Sequence, residues 1–242
     1  MLIGIMHILK KTIQRLLGGV GYRLQSTYDS IVDVDTQFIE IMKRTKPFTL
    51  TTKERMYSLY KATEYIIKTG IPGDFVECGV WRGGSVMIIA HTLLSLGVTD
   101  RKIWLFDTYT GMTELSDNDY AFGVKDRNDY QKSDASLDEV KRNVLSTNYP
   151  ADQFIFVKGK VEDTIPKSIP ERIALLRLDT DWYKSTKHEM HYLYPLLTKG
   201  GALIVDDYGA WAGAKKAVDE YLMKQPILLN RIDRDGRLGI KI

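Results

Sequence analysis

Five carboxylates in this chain stand where short apolar runs end. Glu77 lies within Phe75–Val80, Asp107 closes Ile103–Phe106, Asp179 closes Ile173–Leu178, and Asp206 and Asp207 follow Ala202–Val205. A carboxylate can grip hydroxyls, hold a cation or take a proton. A lone Asp at a strand end is commonly a helix N-cap. Five such acids at strand ends instead line one edge of a sheet, and in an open α/β sheet that edge is where ligands bind.

The segment Glu77-Cys-Gly-Val-Trp-Arg-Gly-Gly84 reads as a strand running into a helix through a glycine turn. Gly79, Gly83 and Gly84 let a ligand approach the backbone closely. The pattern is neither GxGxxG nor a P-loop, so a dinucleotide pyrophosphate fits poorly. Glu77, just before the first glycine, suits a cationic or amine-bearing ligand. Asp107 ends the next strand, the position from which a carboxylate grips ribose hydroxyls. A nucleoside that carries positive charge and no phosphate is S-adenosylmethionine, which makes it the expected cofactor.

Asp179, Asp206 and Asp207 close two strands that should be neighbours. Three carboxylates without a nearby His or Cys favour Mg²⁺, Mn²⁺ or Ca²⁺ over Zn²⁺. The competing reading is an acidic cluster relieved by a neighbouring cation such as Arg177. Asp181 is either a base or an ordinary capping Asp. His91, His188 and His191 each fall within a helical pattern and read as ordinary helix residues. Trp182, Tyr183 and Tyr208 follow the acidic motifs and suit an acceptor wall or the core equally well.

The elements that must hold these residues alternate. Helical patterns over Ser85–Leu96, Leu137–Leu145, Ser185–Leu197 and Trp211–Met223 separate the strands already named, with Phe154–Val157 as another. This implies a mostly parallel α/β sheet covered by helices on both faces. The tail breaks the rhythm. Ile227–Ile232 and Leu238–Ile242 flank a turn at Asp233–Gly236 and read as an antiparallel hairpin. Residues 29–70 look mostly helical, Arg55–Lys68 clearly so. This divides the chain into an N-terminal helical extension, residues 1–70, for lid or dimer contacts, and a catalytic domain, residues 71–242. The stretch Thr108–Ser136 is a long polar loop of the kind that usually serves function.

Composition narrows the classes. The net charge of +3 is spread along the chain, with no basic block for nucleic acid. No apolar run is long enough to span a membrane. The single cysteine, Cys78, cannot form an internal disulfide, so a reducing, cytoplasmic setting is expected. Leu2, Ile5, Met6, Leu9, Ile13, Leu16, Leu17 and Val20 recur at helical spacing. That stripe suits packing on the domain or a homodimer contact, with membrane-surface attachment as the other option.

The motifs VECGVWRGGS, WLFDTYTGM, LRLDTDWYKST and LYPLLTKGGALIVDDYGAWAGAKKAVDEY together resemble the macrocin, mycinamicin and novobiocin O-methyltransferase family, across roughly residues 50–242. The resemblance implies a Rossmann-like class I methyltransferase fold, S-adenosylmethionine, Mg²⁺ (or Mn²⁺), and methylation of a hydroxyl on a sugar or glycosylated small molecule. Matching positions make Glu77, Gly79 and Asp107 cofactor contacts, with Gly83 in the same turn. Asp179, Asp206 and Asp207 become metal ligands. The Gly159-Lys-Val-Glu162 segment resembles the adenine-side loop, which adds Glu162. The mechanism so implied has a carboxylate, Asp179 or Asp181, take the acceptor proton. A metal-dependent methyltransferase for catechols or other phenols is the alternative with the same chemistry.

Overall fold

The computed structural model describes Ile13, residues 35–122 and residues 133–242. The apolar stripe of residues 1–24 otherwise lies outside the described residues, and so does the dimer expectation that rests on it. Residues 36–242 form one compact unit, which begins ahead of the boundary drawn at residue 70.

Seven strands build one sheet: β1 Asp74–Cys78, β2 Ile103–Asp107, β3 Phe154–Lys158, β4 Ile173–Leu178, β5 Leu197–Val205, β6 Leu229–Arg231 and β7 Arg237–Ile240. Their order is β3-β2-β1-β4-β5-β7-β6. The first five run parallel, and β7 pairs antiparallel with both β5 and β6. This is the mixed sheet expected from the sequence, antiparallel tail included. The strand order reverses between β1 and β4, and the crevice at such a switch point receives the ligand.

Helices cover both faces. In chain order they are α1 Thr36–Thr45, α2 Lys53–Lys68, α3 Gly84–Ser95, α4 Leu137–Leu145, the single turn α5 Val161–Thr164, α6 Tyr183–Tyr192 and α7 Ala212–Leu222. α3 is apolar nearly all round, which suits a helix buried on most sides, and α1, α2 and α4 pack on it. α2 starts at Thr52, whose side chain accepts from Arg55 N at 3.2 Å as an N-cap. On the opposite face Met190 and Leu193 around α6, and Val218 and Leu222 of α7, meet Val76, Cys78, Leu176, Leu178, Leu203 and Val205 of the sheet. The continuous apolar runs of β1, β4 and β5 follow from this double cover.

One boundary differs clearly from the sequence reading. The helix expected over Ser185–Leu197 stops at Tyr192, and Leu197 already belongs to β5. Pro195 cannot supply a helical N–H, and a short 3₁₀ turn over Tyr194–Leu196 carries the chain into the strand. Among the described residues no helix is long and apolar enough to cross a membrane.

Candidate functional site

The carboxyl ends of β1, β2, β4 and β5 meet around a cavity of about 330 Å³ lined by Glu77, Gly79, Asp107, Asp179, Asp206 and Asp207, among others. A smaller cavity of about 60 Å³ adjoins it, sharing Gly79, Asp107 and Asp179 and adding Glu162. The seven acids expected at the site, Asp181 among them, therefore line one connected trough. A larger cleft of about 760 Å³ lies between α6 and α7. Glu162 reaches it, but none of the acids at the ends of β1, β2, β4 and β5 does, so size does not select it as the reaction site.

Gly79 is the hinge of the trough. Its φ is +84°, and a Cβ there would lie 2.0 Å from the carbonyl oxygen of Asp179. Only glycine lets the ends of β1 and β4 approach this closely. Gly83 adopts φ +89° as the N-cap of α3, and a Cβ would stand 2.8 Å from Val144 Cγ1. It does not line the cavity, where Gly84 does. Its contribution is the shape of the turn rather than contact with a ligand.

Asp107 holds the glycine turn as well as facing the trough. Its Oδ2 accepts from Val80 N at 2.7 Å and Trp81 N at 3.0 Å, and its Oδ1 accepts from Tyr109 N at 2.7 Å. Glu77 is buried and bonded through Oε1 to Arg177 Nη1 at 2.5 Å, while its Oε2 has no hydrogen-bond partner. Burial pushes its carboxyl up to about 7 against the pull of Arg177. A buried carboxylate oxygen without a donor at the mouth of a cavity fits an ammonium-bearing ligand such as the amino-acid end of S-adenosylmethionine.

At the other end, ligand oxygens of Asp179, Asp206 and Asp207 lie within 4.8 Å of one another. Arg177, buried on β4, is 2.7 Å from both Asp179 Oδ2 and Asp206 Oδ1. The second contact lies off the direction a hydrogen bond needs, which leaves Asp206 Oδ1 without a donor. Burial pushes the Asp179 carboxyl well above the usual range, opposed by Arg177, with Asp206 and Asp207 adding repulsion. Asp207 is raised by burial and then by Asp181 and Asp206. Asp181 is buried at φ +63°, its N–H donating to Asp207 Oδ2 at 3.3 Å. A non-glycine residue held in the left-handed region is the kind of strain that gathers at functional sites.

The aromatics that suited an acceptor wall or the core equally stand off the trough, and the histidines lie in helices as expected. Trp182 is buried edge-on against Trp211, with ring centroids 4.7 Å apart. The Tyr183 hydroxyl donates to Glu220 Oε2, and that of Tyr208 to Asp219 Oδ1. None of the three lines the trough. His91 lies in α3; His188 and His191 lie in α6 and face the outer cleft. Missing from the sequence reading was Arg55. It stands at the trough with its guanidinium on Asp206, an acid 151 residues away. Local periodicity assigned Arg55 only a place in a helix, and no local signal reveals a partner at that distance.

The comparisons agree with this geometry. Residues 41–238 match the model of the macrocin O-methyltransferase family (TylF). Demethyldecarbamoylnovobiocin O-methyltransferase of Streptomyces niveus is 36% identical over 189 residues, covering 76% of this chain and 71% of the relative. The 8-demethyl-8-(2,3-dimethoxy-alpha-L-rhamnosyl)-tetracenomycin-C 4'-O-methyltransferase of Streptomyces olivaceus is 31% identical over 218 residues, covering 89% and 83%. The structure of the O-methyltransferase NovP superposes with a TM-score of 0.73 at 33% identity, covering 80% of this chain and 82% of that one. A strand-edge trough suited to a charged nucleoside, on a fold and a sequence shared with these proteins, leads to one assignment: the chain belongs to the macrocin O-methyltransferase family and is an S-adenosylmethionine-dependent O-methyltransferase.

Proposed function

We propose that this enzyme methylates a sugar hydroxyl on a glycosylated natural product, and that Asp179, Asp206 and Asp207 hold a divalent cation beside the transferring methyl group. The observation that carries the reading is the convergence of those three carboxylates on the same cavity as Glu77, Gly79 and Asp107. The rhamnosyl acceptor named for the Streptomyces olivaceus relative supports the sugar.

The donor set fits a hard cation. Glu77, Asp179 and Asp206 share the buried guanidinium of Arg177, Arg55 reaches Asp206 from the rim, and Asp206 Oδ1 is left without a donor. An all-carboxylate set with a buried oxygen that lacks a donor favours taking up a hard cation. When bound, that ion would supply the charge that lowers the pKa of an alcohol. When S-adenosylmethionine binds, Glu77 would hold its ammonium and Asp107 its ribose. Asp179, paired with Arg177, and Asp181, set against Asp207, are the two candidate proton acceptors beside that ion. The test is transfer of a labelled methyl group to two acceptor panels, deoxysugar glycosides and catechols. Labelling of the glycosides alone is expected. Labelling of the catechols alone would replace the sugar reading.

A further inference from the structure

Arg55 rises from the first turn of α2 and ends among acids from two distant segments. Its Nη1 contacts Asp206 Oδ2 and lies 3.3 Å from the Asp206 carbonyl oxygen. Its Nε donates to Asp233 Oδ2 at 3.0 Å, and its Nη2 is 3.9 Å from Asp235 Oδ2. The turn between β6 and β7 is shaped around it. A Cβ on Gly236 would come within 2.7 Å of Arg55 Cδ, and Thr52 Oγ1 donates to the same Asp233 oxygen at 2.6 Å.

Both oxygens of Asp206 thus face guanidiniums, Oδ2 that of Arg55 and Oδ1 that of Arg177. A cation shared with Asp179 and Asp207 needs one of those oxygens. Arg177 cannot withdraw, because it is buried and tied to Glu77 and Asp179 as well. Arg55 can. Its side chain keeps 12% of its surface exposed, and it already holds Asp233 with Asp235 in loose reach.

We propose that Arg55 is an internal stand-in for the divalent cation, occupying Asp206 in the metal-free enzyme and retreating toward Asp233 and Asp235 when the metal loads. This rests on the reading of Asp179, Asp206 and Asp207 as a cation site. The exchange keeps the buried acids compensated in both states, since an unpaired buried charge is costly. It also lowers the apparent metal affinity, because each loading event must first break a charge-assisted hydrogen bond.

The test is calorimetric titration of Mn²⁺ into the metal-free enzyme, comparing wild type, Arg55→Met and Arg231→Gln. Arg231 carries a nearby exposed charge that donates to the Asp233 backbone carbonyl at 2.7 Å, not to a carboxylate that Arg55 uses. Arg55→Met should bind Mn²⁺ about tenfold more tightly or better, the scale of one charge-assisted contact no longer broken. Arg231→Gln should stay within about twofold of wild type, as expected for an exposed charge. Equal or weaker binding by Arg55→Met overturns the proposal and leaves the cation site standing. An equal gain in Arg231→Gln also overturns it, because long-range charge would then explain the effect. No Mn²⁺ binding by either Arg55→Met or wild type overturns the cation site, and this proposal with it. A crystal structure of the Mn²⁺-loaded wild type needs no variant to fold. It should show Arg55 Nη1 away from Asp206, and an intact contact beside bound Mn²⁺ overturns the proposal.

Discussion

Glu77 on β1 and Arg177 on β4 are register partners across the strand-order reversal, and their side chains meet at 2.5 Å. Cross-strand partners share a face of the sheet. The same guanidinium reaches Asp179 and Asp206, each at 2.7 Å. One buried arginine therefore joins the cofactor end of the trough to its acidic end. Such a buried network adds little net stability, but it holds charges in fixed places.

The pairing leads to a pH dependence. Burial holds the Glu77 carboxyl up at about 7, and a cationic ligand prefers it ionised. Below that value the carboxyl is protonated and binding must release a proton. S-adenosylmethionine affinity should therefore rise from pH 6 to pH 8, by at most about tenfold per unit below the pKa. Glu77→Gln should bind more weakly and flatten the profile. Calorimetric titration across this range reads both effects, and an unchanged slope in the variant would remove Glu77 from the cofactor site.

Asp107→Ala should cause two losses at once. The cofactor loses its ribose partner, and the amides of Val80, Trp81 and Tyr109 lose their acceptor. The unsatisfied amides loosen the turn in free and bound protein alike, while the lost charge-assisted ribose contact, about 1.5–3 kcal/mol, should lower affinity at least about tenfold. If binding is unchanged by calorimetry, Asp107 serves only the turn.

Gly79→Ala tests the contact between β1 and β4. The added Cβ would meet Asp179 O at 2.0 Å, at a φ that L residues rarely adopt. Relief requires the two strand ends to part, carrying Asp179 away from Asp206 and Asp207. A loss of about 2 kcal/mol or more in urea unfolding is expected, together with loss of methyl transfer. Wild-type stability in this variant would show that the two strand ends can yield.

Exhaustive chelation should abolish methyl transfer while largely sparing cofactor affinity, since Glu77 and Asp107 stand on different strands from the acidic loops. Mg²⁺ or Mn²⁺ should restore turnover. Asp206→Asn and Asp207→Asn should each weaken metal binding in a direct titration. Full activity in rigorously metal-free enzyme would show that the acids bind the acceptor directly.

Glu189 on α6 has its carboxyl raised to about 8 by burial, and both of its oxygens accept from the Thr180 hydroxyl, at 3.0 and 3.2 Å. The unfolded group titrates near the ordinary carboxylate value. Between the two values the native state holds a proton that the unfolded state has released, so stability falls as pH rises. Wild type should lose about 3 kcal/mol more than Glu189→Gln between pH 5 and pH 8. Parallel urea-unfolding curves for the two proteins over that range would show that Glu189 is ionised in the fold.

The order and type of the central elements were legible in the sequence because alternating apolar runs can bury themselves only as strands between helices. The acids at the strand ends were legible for the same reason, since topology sends every parallel strand's carboxyl end to one edge. The resemblance added Glu162, which borders both the smaller cavity and the outer cleft. The tertiary structure alone decided the rest. The helix after Asp181 stopped at Tyr192 because Pro195 and the start of β5 took its last turn. Trp182 and Tyr208 turned away from the trough because the aromatic cluster around Trp211 and the polar partners on α7 offered them better burial and pairing. Arg55 reached Asp206 only once α2 and the β6–β7 turn were brought against the end of β5. Hydrophobic period is a local signal and survives in one dimension, whereas the pairing of a buried charge depends on which distant segment arrives beside it.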